Sequence, residues 1–191
     1  DIKNIQNISI LEFGVRDGNS TVFFLDICDA NNGKLYSVDI NNYSHLFKKD
    51  NWKFIHCSDD DYDKVIKESQ KNFDLILIDS FHNPQHVKKL IYHYFDYLKK
   101  GGIIIIDDIS WIPYSKGNYR DHPHTEIINR DTFSEILNII SNNKELIKVY
   151  FSFEDSGLAK IVKLENQPLK HGPKIKSREY SIKNIIKRII K

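Results

Sequence analysis

Apolar runs and amphipathic stretches alternate along the chain between residues 8 and 164. Residues 8–13 form an apolar run ending in a glycine-bearing turn, and residues 20–30 follow with helical character. Residues 34–40 and 53–57 read as a second and third strand, and residues 60–71 as a polar amphipathic helix. Residues 73–79 (Phe-Asp-Leu-Ile-Leu-Ile-Asp) form a fourth strand, buried on both faces. The next helix is punctuated by Asn83 as N-cap and Pro84 at the first helical position, where the missing N–H costs nothing. It is expected to run to about Lys99-Lys100, with Gly101-Gly102 ending it. A fifth strand spans 102–108, and an aperiodic polar and aromatic stretch spans 110–126, long enough to be a functional loop. A helix over 132–141 and strands at 148–153 and 158–164, joined by Glu154-Asp155-Ser156-Gly157, complete the pattern. Strand–helix units followed by a hairpin predict an α/β, doubly wound, mostly parallel seven-stranded sheet with an antiparallel C-terminal hairpin and one reversed edge strand.

The chain has 191 residues, 40% hydrophobic and 28% charged, which suits one globular domain. No apolar run approaches a membrane span and there is no secretory signal. The chain contains no methionine, as expected of a processed or trimmed chain that lacks an N-terminal element. Cys28 and Cys57 have neither metal nor redox spacing and read as small buried hydrophobes in a reducing, cytoplasmic compartment. Charge divides the chain. Residues 166–191 carry eight Lys/Arg and one acid, or +7, leaving 20 basic and 25 acidic side chains, or −5, in residues 1–165. An acidic domain with a basic tail argues against a nucleic-acid-binding body.

In open α/β sheets ligands bind at the carboxyl ends of the strands, near the point where strand order reverses. Polar residues stand at five such ends: Glu12 to Ser20, Asp39, Cys57-Ser58-Asp59, Asp79 and Asp107-Asp108. Gly14 and Gly18 let the first turn pass close to a ligand, with Ser20 near the following helix N-terminus. The spacing is E-x-G-x-x-x-G, unlike the G-x-G-x-x-G of dinucleotide binders, which argues against an NAD-dependent oxidoreductase. Asp39 is placed to accept hydrogen bonds from both ribose hydroxyls of an adenosine, or else to cap a helix.

Glu12 to Ser20, Asp39 and the run from Phe73 to Trp111 resemble the class I S-adenosylmethionine (SAM)-dependent methyltransferases, over roughly residues 8–164. Ile78-Asp79-Ser80-Phe81-His82 and Gly101 to Asp108 resemble the small-molecule and sugar O-methyltransferases among them, the macrocin-type and cephalosporin-biosynthesis-type enzymes included. The resemblance implies a Rossmann-like SAM-binding domain over 1–165. Glu12, Gly14, Gly18 and Ser20 would hold the methionine portion of SAM, Asp39 the ribose, and Ser58 or Asp59 the adenine, with Asp79 also beside the cofactor.

Asp79, Asp107 and Asp108 would repel one another unless protons or a cation intervened, and hard oxygen ligands suit Mg²⁺. In metal-dependent relatives, residues at matching places bind that ion; the alternative is that these aspartates serve the loops around them. Asp79 and His82 are the candidate catalytic residues, His82 as base, as metal ligand or as a cap for the following helix. Trp111, Tyr114, Tyr119, His122 and His124 in the long loop are candidate substrate contacts. The implied activity is Mg²⁺-assisted methyl transfer to a hydroxyl of a small molecule, a sugar or polysaccharide unit being the expected class. Metal-independent O- or N-methylation with His82 as base, and a non-catalytic SAM-binding module, are the alternatives. The Asn/Asp-Pro-Pro-Tyr/Phe signature of amino-directed nucleic-acid methyltransferases is absent, so no nucleic acid partner is expected.

Tyr180 to Lys191 places Ile182, Ile185, Ile186, Ile189 and Ile190 at helical spacing between basic residues. This basic amphipathic helix is expected to pack on its own domain or on a second subunit of a homo-oligomer. The other reading is peripheral docking at an anionic membrane surface or to a partner.

Overall fold

The computed structural model describes residues 2–178 and 181–190. Strands β1 (Ser9–Phe13), β2 (Lys34–Asp39), β3 (Trp52–His56), β4 (Phe73–Ile78), β5 (Leu98–Asp107), β6 (Ile147–Ser152) and β7 (Leu158–Lys163) form one sheet, ordered β3-β2-β1-β4-β5-β7-β6. The helices among the described residues are α1 (Asn19–Ala30), α2 (Tyr62–Glu68), α3 (Pro84–Phe95), α4 (Pro123–Asn142) and α5 (Ile182–Ile189). Strands β1 to β5 are mutually parallel, and β7 is antiparallel to β5 and β6. This is the α/β architecture the sequence pattern predicts, with one correction: the reversed strand is not at the edge. Ala159, Ile161 and Lys163 of β7 are buried, whereas in β6 only Ile147 is, so β7 takes the inner place and β6 the rim.

Every position of β1 and β4 is buried, so both strands face helices or packed loops on either side. The two-residue period of a strand sorts their side chains. Leu11, Phe13, Ile76 and Ile78 join Val87, Leu90, Tyr94, Ile136 and Ile139 of α3 and α4 on one face. Ile10, Leu75 and Leu77 join Phe24, Leu25 and Cys28 of α1 on the other. Cys28 lies in this core, where burial pushes its thiol up to about 12, while Cys57 is only half-buried.

Two expected boundaries move. Helix α3 stops at Phe95, and Lys99, Lys100, Gly101 and Gly102 belong to β5 rather than to a helix end. Strand pairing prevails there: Phe73 aligns with Leu98 and Leu75 with Ile103, so residues between them loop out, and Lys99 reaches back to Asp74 at 2.7 Å. The buried Lys163 ammonium instead serves the end of α3, donating to the carbonyls of Phe95 (2.8 Å) and Leu98 (2.7 Å). Helix α4 begins at Pro123, well before residue 132, because His122 caps it: its Nδ1 accepts from the Thr125 N–H at 3.2 Å. The 110–126 stretch therefore holds a 3-10 turn (Ile112–Tyr114) and the first turn of α4 rather than an irregular loop.

The basic segment after β7 also divides. Leu169 is buried in the α3–α4 core, and Asn143 brackets Lys170, donating to its carbonyl (3.0 Å) and accepting from its N–H (2.7 Å). Glu135 on α4, itself buried, accepts from Lys174 (2.7 Å), Lys88 (3.0 Å) and Gln85 (2.9 Å). Burial alone would raise its carboxyl, but these three hydrogen bonds outweigh it and hold it at about 2. Because that lies below the value of about 4.3 for an unfolded Glu, the stabilisation is full above that pH and is lost as pH falls towards 2. Glu135→Gln should therefore be less stable than wild type at neutral pH, and the gap should close on acidification. Urea unfolding at stepped pH measures it; a gap that stays constant with pH would refute the role.

Candidate active site

The strand order reverses between β1 and β4, and the chain leaves both at one level of the sheet. Asp79 N–H donates to the Phe13 carbonyl at 3.0 Å, and Gly14 N–H donates to the Val38 carbonyl at 3.0 Å. Gly14 has φ 91°, and a Cβ there would lie 1.9 Å from the Asp79 carbonyl oxygen. Only glycine fits this crossing.

A pocket of about 710 Å³ opens over these ends. Gly14, Asp39, Ser58, Asp59 and Asp79 of the expected cofactor residues line it, together with Arg16, Ile40, Tyr43, Phe81 and His86. Asp39 ends β2, its Oδ2 accepting from Val15 N–H and its Oδ1 from Asn41 N–H, both at 2.9 Å. Each oxygen keeps a second lone pair for a ligand hydroxyl. The carboxylate thus orders its own loop without capping a helix. At one end Asp59 is buried, and its two oxygens meet His86 Nε2 (2.9 Å) and the Ser80 hydroxyl. Ser58 turns to Asp60, donating at 2.6 Å.

Glu12, Gly18 and Ser20, expected at the methionine portion, lie behind Gly14 rather than in the pocket lining. Glu12 is completely buried, and its carboxylate accepts from Ser20 (2.6 Å), Thr21 (2.8 Å) and Ser37 (2.6 Å). Burial raises its pKa and those three hydroxyls oppose the rise. It fastens α1 and β2 to β1. Gly18, at φ 79°, starts α1 and packs against Phe47. The N–H groups of Gly14, Val15 and Gly18 all donate within the protein, and Arg16 of this turn lines the pocket.

At the other end, His82 Nε2 lies 3.5 Å from Asp79 and 3.3 Å from Asp108. Asp108 holds φ 58°, a left-handed conformation that Asp tolerates better than most residues. Burial, then the charges of Asp107 and Asp108, push the Asp79 carboxyl up to about 7. Burial also raises Asp107, whose Oδ1 accepts from Ser156 at 3.3 Å. Asp79, Asp108 and His82 therefore come together, with Asp107 close enough for its charge to act on Asp79 while its Oδ1 meets Ser156. Among the described residues no group of three or more His, Cys, Asp or Glu side chains is converged as a metal site.

The expected substrate residues are not part of the pocket lining. Trp111 packs on Phe133 and Phe153, with ring centroids 5.3 and 5.8 Å away. Tyr114 meets Arg120, which also pairs with Asp155 at 2.5 Å, and Tyr119 is exposed nearby. His122 is the α4 cap, and His124 follows on its first turn. All five follow the β5 end in sequence, between Asp107 and the first turn of α4. Ser80 and Phe81 directly follow Asp79, so position alone could have flagged them; His86 reaches in from the first turn of α3 and left no such signal.

Residues 11–109, just over half of the chain, match a family described as methyltransferase domain. No curated protein matches the sequence. Among solved structures, the SAH-bound methyltransferase PaMTH1 of Podospora anserina superposes with TM-score 0.66 at 16% identity, over 81% of this chain and 71% of that one. A Staphylococcus aureus protein assigned provisionally as a caffeoyl-CoA O-methyltransferase gives 0.64 at 20% identity, over 82% and 76%. MycE, a methyltransferase of mycinamycin biosynthesis solved with Mg and SAH, gives 0.60 at 21% identity; this chain covers 84% of itself and 46% of MycE. At these identities the likenesses establish the fold.

Gly14→Ala and Gly101→Ala both place a side chain at positive φ, but a Cβ at Gly101 meets nothing within 4 Å. Gly101→Ala should cost about 1 kcal/mol, and Gly14→Ala on the order of 3 kcal/mol or more together with the pocket's affinity for S-adenosylhomocysteine. Thermal unfolding and ligand titration check this; equal losses in both variants would remove the crowding argument.

Proposed function

The chain belongs to the methyltransferase domain family, and we propose that it moves a methyl group from SAM to a hydroxyl of a small molecule, a sugar or polysaccharide unit being the expected class, with a divalent cation such as Mg²⁺ at the acidic end of the site. The observation that carries this reading is the layout of one pocket. Asp39, Asp59, His86 and Asp79, from the ends of β2, β3 and β4 and the start of α3, line it together, and His82 and Asp108 stand beside Asp79.

The residues fit SAM. Asp39 keeps free lone pairs for two hydroxyls, and Ile40, Tyr43 and Phe81 offer apolar surface on the adenine side, next to Asp59. When bound, SAM supplies an electrophilic methyl group on a sulfonium. The acidic end fits a hard cation by donor chemistry, because burial and then the charges of Asp107 and Asp108 raise the Asp79 carboxyl, and these three aspartates would hold the ion. A cation held there would lower the pKa of an acceptor hydroxyl. Trp111, Tyr114 and Tyr119, which follow β5, would contact the acceptor, and its hydroxyl proton would pass to a carboxylate oxygen of Asp79 or to His82 Nε2.

A second reading follows from His82. Its Nε2 already stands between the same two carboxylates, so it can serve as their positive partner and, when neutral, as the base for a metal-independent transfer.

Calorimetric titration with S-adenosylhomocysteine tests the donor: Asp39→Ala should bind at least roughly 10-fold more weakly than wild type, the loss expected for hydrogen bonds to a charged group. A folded wild type that binds none would overturn the assignment. Thermal unfolding after chelation, then with Mg²⁺ restored, tests the cation. Wild type should gain Tm and Asp79→Asn should not; an unmoved wild type would leave the His82 reading in its place.

A further inference from the structure

Among the described residues, α5 buries none of its side chains. Ile182, Ile185, Ile186, Ile189 and Ile190 are all exposed, the first and last two by 78–79%. At 3.6 residues per turn these five span an arc of roughly 140°. Lys183 and Lys187 flank it on one side and Arg188 on the other, and the helix carries no acidic residue. The expectation that this helix packs on its own domain is not met. The chain before it is fixed: Lys174 pairs with Glu135, and Ile175 N–H donates to Asn138 at 2.7 Å.

We propose that α5 docks on an anionic lipid surface, its isoleucines entering the headgroup–acyl boundary and its lysines meeting the lipid phosphates. Charge favours this occupant. The +7 of residues 166–191 attracts an anionic bilayer, whereas two copies joined through the same face would bring like charges together. The body, at −5, is repelled by such a surface, so the contact falls to the helix. An eight-residue helix is marginal in water and gains order from an interface that accepts its apolar stripe. No helix among the described residues is long and apolar enough to cross a membrane, so the attachment would be peripheral.

Flotation of the full chain with phosphatidylcholine vesicles, with and without phosphatidylserine, tests the proposal. The protein should float with anionic vesicles, far less with neutral ones, and less as salt rises. Ile185→Glu/Ile186→Glu should abolish flotation, and Lys183→Glu/Lys187→Glu should reduce it on the order of 10-fold or more. Both variants should keep the wild-type Tm, because α5 buries nothing. Equal flotation with neutral vesicles, or flotation that survives the Ile185/Ile186 substitutions, would overturn the proposal. So would failure to float, including a dimer in solution that Ile185→Glu/Ile186→Glu dissociates, which would assign the face to a second copy.

Discussion

The chain leaves β1 and β4 side by side, and neither strand has a solvent-facing side on which to place a polar group. Whatever polarity the sequence carries next to them must therefore be collected at their carboxyl ends or satisfied internally. Glu12, inside β1, takes the internal course and uses three hydroxyls from α1 and β2. Asp79, one residue past β4, takes the other and ends in a pocket wall with its pKa pushed up by burial and by its acidic neighbours. Gly14 is the hinge between these outcomes, since only its missing side chain lets the two exits lie against each other. The pocket, the Asp39 loop and the α1 start all take their positions from that crossing.

Much of this was legible in the sequence because the signals are local or strictly periodic. The continuous apolar runs at 8–13 and 73–79 mark strands buried on both faces, and Asn83-Pro84 marks the α3 start, whose cap accepts from Gln85 (3.0 Å) and His86 (3.1 Å) as expected. Glycine spacing and the acids at strand ends located the pocket. What was not legible depends on partners distant in sequence. Lys99-Lys100-Gly101-Gly102 has the composition of a helix end, yet pairing with β4 and the reach of Lys163 across 65 residues and more put it in a strand. Glu12 reads as a ligand residue from its place in the motif, and only the hydroxyls of Thr21 and Ser37 folded against it reveal a fastening role. His122 reads as half of a His-x-His pair, and the helix it caps was hidden by the polar face of α4.

The two long-range fastenings, Glu12 and Glu135, solve one problem in different ways. Both are buried carboxylates. Glu12 has only neutral hydroxyl donors, and its pKa is raised; Glu135 has two lysines, and its pKa falls. A buried carboxylate with neutral donors only is penalised in its charged form, which its three hydroxyl partners offset in part. One with cationic donors commits to the charged state and links the segment carrying Lys174 to α3 and α4. The first joins β1 to α1 and β2, and the second joins α4 to α3 and the segment that follows β7.

The same reasoning bears on the chemistry at the acidic end. Burial and the charges of Asp107 and Asp108 push the Asp79 carboxyl up to about 7, and a proton, the His82 ring or a metal cation can each relieve that crowding. These partners exclude one another, because the imidazole already sits within 3.5 Å of both carboxylates. A cation held by the aspartates and the His82 ring are therefore competing claims on one place, the first making the acceptor hydroxyl a stronger acid and the second offering it a base.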